Sequence, residues 1–212
     1  RSTLFPYTTL FRSGRRGKGV IIMIRNMNES EKSAALTTAD IMAAAARTAP
    51  KANGLDKIMT LIASGDDLDL IAREMEKAGA EYDLEFFARD ASNLRKSHCA
   101  VLIAAMPSPS GVPGCNLCGF GNCTGMIKDG IPAGASCSFS ATDLGIAIGS
   151  AVTVASANRI DNRVMYSVGR AAIRLGLFPD GTKLCYGIPL YTGAKSIFFD
   201  RASGSVLLGQ HD

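Results

Sequence analysis

Three cysteines, Cys115, Cys118 and Cys123, fall within nine residues, and a fourth follows at Cys137. The spacing Cys-x2-Cys-x4-Cys-x13-Cys constrains this chain more than any other feature. A glycine-rich loop carrying that many thiols makes a poor apolar core, so it must be organised around something other than packing. Thiolates are soft ligands, and four of them suit zinc or an iron–sulfur cluster. Closely spaced ligands on a tight loop can wrap one face of a cluster, and a ligand from further along closes it. Gly114, Gly119, Gly121 and Gly125 surround the cysteines. They are expected to give the loop positive φ angles and to leave backbone N–H groups free to point at sulfur. Structural zinc is usually held by paired Cys-x2-Cys knuckles, whereas the second half here is the lone Cys137. The spacing therefore favours one [4Fe-4S] cluster on Cys115, Cys118, Cys123 and Cys137, working in electron transfer. A zinc-stabilised interaction module is the alternative. A disulfide framework is the weaker reading without a secretory signal. Cys99 and Cys185 sit in apolar strand patterns and read as buried small hydrophobes, and His98 at a strand start reads as structural.

The N-terminus is a separate matter. Thr3 to Ser13, TLFPYTTLFRS, matches residue for residue the translation of a common short-read sequencing adapter. Residues 1–22 are therefore read as an artefact outside the fold, with Met23 as the expected start and Met27 as the alternative. Arg15, Arg16 and Lys18 precede too short an apolar run, Val20 to Ile22, for a secretory signal. Residues 1–18 hold five basic residues and no acidic one, so the remainder carries a formal charge of −1 against +4 for the whole chain. The basic balance then implies no nucleic-acid partner, and no Lys/Arg stripe with interleaved aromatics appears. No uninterrupted apolar run reaches the roughly 18 residues of a membrane span. The expected location is the cytoplasm.

From residue 23 to 212 the sequence reads as one domain. Helices are expected over Glu29–Ala49 (with Ile41, Met42 and Ala45 on one face), Asp67–Ala78, Leu84–Lys96, Ala141–Asn158 and Val164–Leu175. Pro50 ends the first, Asp66 caps the second, Gly79 closes it, and Ser138 or Ser140 caps the fourth. Strands are expected over Lys57–Ala63, His98–Ala105 and Lys183–Leu190, with a turn at Asp161-Asn162. Gly145 and Gly149 inside an apolar helix suggest close approach by another backbone or a ligand. Strands alternating with helices predict an α/β fold, or its α+β form, with a small central sheet flanked by helices. No acid–base set emerges, so no catalytic residue is assigned.

The stretch CNLCGFGNC followed by Cys137 resembles the four-cysteine [4Fe-4S] domain of corrinoid iron–sulfur proteins and electron-transport subunits, whose pattern is C-x2-C-G-x3-C and then a fourth cysteine. The final gap here is somewhat short for that pattern. The resemblance places the cluster segment at about residues 99–158. More widely, AARTAPKANGLDKI, DLGIAIGSAV, DNRVMYSVGRAA and YGIPLYTGAKSIFFDR resemble the prokaryotic ferredoxin-domain-containing proteins of unknown function. That resemblance implies the cluster and leaves the activity open. The run AAARTAPKANG, Ala44 to Gly54, and the later order of elements are similar to nitroreductase-like flavoproteins. This second resemblance implies a nitroreductase-like fold, FMN held near Arg47, Lys51 and Asn53, an oxidoreductase fed by the cluster, and a homodimer. Lys51 stands where that family usually has Ser, and its Arg-rich phosphate motif is missing. The partner implied by electron transfer is a redox protein, whose identity the sequence does not specify.

Overall fold

The computed structural model describes residues 24–199; the segment 1–22 and the expected start at Met23 lie outside the described residues. The strand β2 (Cys99–Ala105) organises everything around it. Its sequence CAVLIAA is apolar and buried at every position, as a strand covered on both faces must be. Side chains alternate across a strand. Ala100, Leu102 and Ala104 join one core cluster, and Cys99, Val101, Ile103 and Ala105 join another.

The helices α2 (Asp66–Tyr82), α3 (Phe86–Lys96) and α6 (Tyr166–Arg174) cover the first face. The second face is covered by α1 (Met27–Thr48) and α5 (Ser138–Ala157). Between them lies a four-stranded sheet in the order β1 (Ile58–Ser64), β2, β4 (Leu184–Tyr191), β3 (Asp161–Asn162). All its pairings are antiparallel, so the α+β form of the expected class is the one adopted. The reason is local. Two helices, α2 and α3, separate β1 from β2, so the chain re-enters the sheet at the end where it left, with Cys99 opposite Ser64. A single crossover helix would have made the pair parallel.

Several boundaries differ from expectation. The apolar face of α1 is Ala35, Ala39, Met42 and Ala46, while Ile41 is exposed. Its start is fixed by a capping box, with Asn26 accepting from the Glu29 N–H and Glu29 accepting from the Asn26 N–H. Asp66 does not cap α2 but is its first residue, after Gly65. Gly79 does not close α2 either; it lies inside the helix, where a Cβ would sit 2.8 Å from Phe87 Cβ. The helix ends three residues later, at Tyr82, and is capped by Asp83 in the left-handed region. Asp161-Asn162 is no turn: it pairs with Tyr191 and Leu190 as β3. Gly145 and Gly149 have no atom within 4 Å of where a Cβ would stand, so neither marks a close approach within the chain. By length and composition α5 could cross a membrane. Here Leu144, Ala147, Ala151 and Ala155 bury one stripe of it against α1 and the sheet.

Candidate metal centre

The loop from residue 106 to 137 joins the end of β2 to the start of α5. Pro107, Pro109 and Pro113 cannot donate to a sheet ladder, so the chain leaves the sheet there. The neck is closed where the Cys137 N–H donates to the Pro107 carbonyl at 2.9 Å. Cys137 is itself the N-cap residue of α5, with φ −60° and ψ 130°. Neither Ser138 nor Ser140 caps that helix: both lie within it, and the residue ahead of them is the expected ligand.

The remaining three cysteines ride on tight turns. Gly114, Gly119 and Gly121 take φ of 67°, 80° and 75°, conformations that favour glycine. Gly125 does not: it is helical, and what excludes a side chain there is the Phe120 carbonyl, 2.3 Å from a would-be Cβ. Asn116 holds the knuckle from inside, its side-chain oxygen accepting from the Gly121 N–H at 2.6 Å and its carbonyl from the Gly119 N–H at 3.0 Å. Asn122 accepts from the Gly125 N–H and caps the short α4 (Cys123–Gly125), which runs into a π turn over Met126–Gly130. Ser138 Oγ donates to the Leu117 carbonyl at 3.0 Å and ties the first two cysteines to the start of α5.

The result is one pocket lined by Cys115, Cys118, Cys123 and Cys137, with Val112, Met126 and Phe139 as apolar wall. All six cysteines are free thiols, which leaves no disulfide in the described chain. The four loop thiols line this pocket together, and among the described residues no three Cys, His, Asp or Glu side chains stand close enough to hold a single metal ion. Burial acts to raise the Cys137 thiol, but the N–H groups of Ser110, Phe139 and Ser140 and the Ser110 hydroxyl, 3.8 Å from Sγ, outweigh it and hold the pKa below the ordinary value. A thiol so placed is primed as the thiolate, the form that binds metal. Cys99 and Cys185 lie elsewhere, buried in the two cores as expected. His98 stacks on Tyr191 and bonds the Thr192 carbonyl.

The residues expected to hold FMN are engaged within the chain. Arg47 bonds the Ile58 carbonyl at 3.1 Å and pairs with Asp56 at 2.6 Å. Lys51 Nζ donates to the carbonyls of Arg47 and Ala49. Asn53, at φ 56°, donates to the Ser110 carbonyl at 3.3 Å, which brings it to the rim of the cysteine loop. Sequence reasoning missed the polar cluster of Lys57, Ser108, Ser110 and Ser140, with Asp143 nearby, which adjoins the pocket through Ser110. One signal was there to be read: Asp143 is the sole charged residue in the twenty of α5.

Residues 133–201 match the family model described as "Uncharacterized protein containing a ferredoxin domain (DUF2148)". That stretch includes Cys137 and lies beyond the other three cysteines. An uncharacterized protein of Archaeoglobus fulgidus is 40% identical over 179 residues, spanning 82% of this chain and 94% of that protein. A nitroreductase with bound FMN from Desulfitobacterium hafniense DCB-2 shares the architecture with a TM-score of 0.51 at 15% identity, over 76% of this chain and 79% of that one. An oxidoreductase containing FMN gives a TM-score of 0.50 at 16% identity, over 77% and 68%. At such identity the likeness is one of fold, and the chain has the nitroreductase-like fold that its sequence implies.

Proposed function

Because this chain belongs to the family of uncharacterized proteins containing a ferredoxin domain, we propose that it holds one [4Fe-4S] cluster on Cys115, Cys118, Cys123 and Cys137 and carries electrons inside the cell. The observation that supports this most is the meeting of all four cysteines, and of neither other cysteine, on the wall of one pocket. The lone Cys137 provides no second Cys-x2-Cys knuckle of the kind structural zinc usually has, which favours a cluster. Bound there, the cluster supplies a one-electron carrier at a potential set by its surroundings. The chain contributes the rest. Positive-φ glycines set the tight turns that carry the cysteines, although the Gly119 and Gly121 N–H groups are spent on Asn116 rather than left for sulfur; Cys137 is held toward its thiolate, and Val112, Met126 and Phe139 keep water from one side.

The test is the composition of protein made and purified without oxygen. About four irons and four acid-labile sulfides per chain are expected, and Cys123→Ser is expected to lose most of both. Stoichiometric zinc without iron would overturn the proposal and select the interaction module.

A second reading, a nitroreductase-like FMN enzyme fed by the cluster, is favoured by one observation, the fold shared with a nitroreductase with bound FMN. On this reading Arg47 and Lys51 would exchange their present partners, Asp56 and two main-chain carbonyls, for the phosphate. Stoichiometric FMN released on heating supports it; protein that carries iron and no flavin ends it.

A further inference from the structure

Lys57 stands one residue ahead of β1, and its side chain runs beneath the cysteine loop. Only 8% of the residue is exposed. Nζ donates to the Ser108 carbonyl at 2.6 Å and the Ser110 hydroxyl at 2.7 Å, and it reaches the Ser140 hydroxyl at 3.4 Å. These three partners satisfy its hydrogens, but all are neutral. No carboxylate among the described residues lies within ion-pair distance of it. A buried ammonium without a counter-charge is strongly unfavourable, so this one calls for an anion that the side chains in contact with it do not supply.

Two sources of negative charge lie nearby. Ser110, which takes one Lys57 hydrogen, has its hydroxyl 3.8 Å from Cys137 Sγ. Asp143 is 3% exposed; its Oδ1 accepts from the Ala52 N–H at 3.0 Å and its Oδ2 has no hydrogen-bond partner. Burial pulls the Lys57 pKa below the ordinary value, and the charges of Cys137, Asp143 and Cys123 act against that pull.

We infer that Lys57 is the buried counter-cation of the cysteine pocket, a positioning residue that favours the reduced cluster through space and through the Ser110 hydroxyl. This rests on the cluster reading above. One-electron reduction by an external donor adds one negative charge to the pocket; no bond in the chain forms or breaks and no proton is needed. A fixed positive charge in a low-dielectric site favours that more negative state. Lys57 and Ser110 therefore raise the reduction potential, while Asp143 lowers it.

The experiment is a potentiometric titration of anaerobically prepared, iron-loaded protein, with iron content and thermal unfolding measured in parallel. In Lys57→Met the equilibrium constant for reduction is expected to fall at least tenfold, a shift of 59 mV or more to lower potential for one electron, at unchanged iron content. Ser110→Ala should shift the same way by less. Asp143→Asn, which keeps an acceptor for the Ala52 N–H, should shift upward. Full iron loading with an unmoved potential in Lys57→Met overturns the inference and leaves the cluster reading standing; wild-type protein without iron overturns both. Should Lys57→Met fail to fold, the other two variants decide, because only opposite shifts are consistent with the inference.

Discussion

The same side chain has two fates in this protein, and burial with or without donors separates them. Cys99 and Cys185 lie among apolar groups, and burial pushes both thiols up to about 12. At pH 8 such a thiol is ionised to roughly one part in 10⁴, and thiolate is the reactive form. Metal-free native protein treated with iodoacetamide at pH 8 should therefore be modified at Cys115, Cys118 and Cys123, and at Cys99 and Cys185 only after unfolding. Peptide mapping by mass spectrometry checks this, and labelling of Cys185 at the rate of the loop cysteines would refute the partition. This partition was legible beforehand, because Cys-x2-Cys-x4-Cys among glycines and isolated cysteines in apolar runs are different local patterns. The polar cluster behind the pocket was not legible. Lys57 heads a strand, Ser108 and Ser110 sit in a Pro/Ser/Gly loop, and Ser140 and Asp143 lie on a helix. The three segments have no spacing relation to one another; the antiparallel return of β2 beside β1, with the Met106 N–H on the Lys57 carbonyl, brings the loop to Lys57, and Ser140 joins them from α5.

Among the elements, α6 packs tightly on β4 through glycines of both. A Cβ on Gly169 would stand 2.0 Å from the Cys185 carbonyl oxygen, and one on Gly187 would stand 2.2 Å from Val168 Cγ1. Backbone cannot yield as a flexible side chain can, so Gly169→Ala should destabilise by about 1–3 kcal/mol. Gly149→Ala is the control of opposite sign. It lies inside α5 with nothing within 4 Å, and Ala there should stabilise by about 0.5–1 kcal/mol. Denaturant midpoints of the two variants test both; a neutral Gly169→Ala would mean that α6 can lift from the sheet at little cost. Read along the chain, these glycines look alike, since a glycine in a helical pattern gives no sign of what faces it. The helix interiors were legible from apolar spacing, as in Leu68, Ile71, Ala72 and Met75 of α2. The ends were less so, because Gly79 continues a helix where close packing on Phe87 requires a small residue. The two-residue β3 gives no periodic signal at all; it exists only because Tyr191 and Leu190 are there to pair with.

For the whole molecule the decisive fact is that the cysteine loop belongs to neither core. The two hydrophobic clusters draw on all the larger helices and on the sheet, and no residue from 106 to 143 contributes to them. The loop is held instead by polar threads: the Cys137 N–H on Pro107, Ser138 on Leu117, and Lys57 on Ser108 and Ser110. Regions with few buried apolar contacts open at lower free energy than the core, in units of their own. A ligand that binds only the closed loop stabilises that unit, and its removal should release the loop while the sandwich of helices and sheet stays folded. Lys128 makes this measurable. It is exposed, and it is the sole Lys or Arg between Lys96 and Arg159, so trypsin has one place to cut in the segment. Stripping iron with a chelator should turn Lys128 from a slow site into the first one cleaved, while the helical circular dichroism and a cooperative unfolding transition persist. Loss of that transition on chelation would mean that the thiolate centre holds the whole chain together, which two filled cores on either side of β2 make unnecessary.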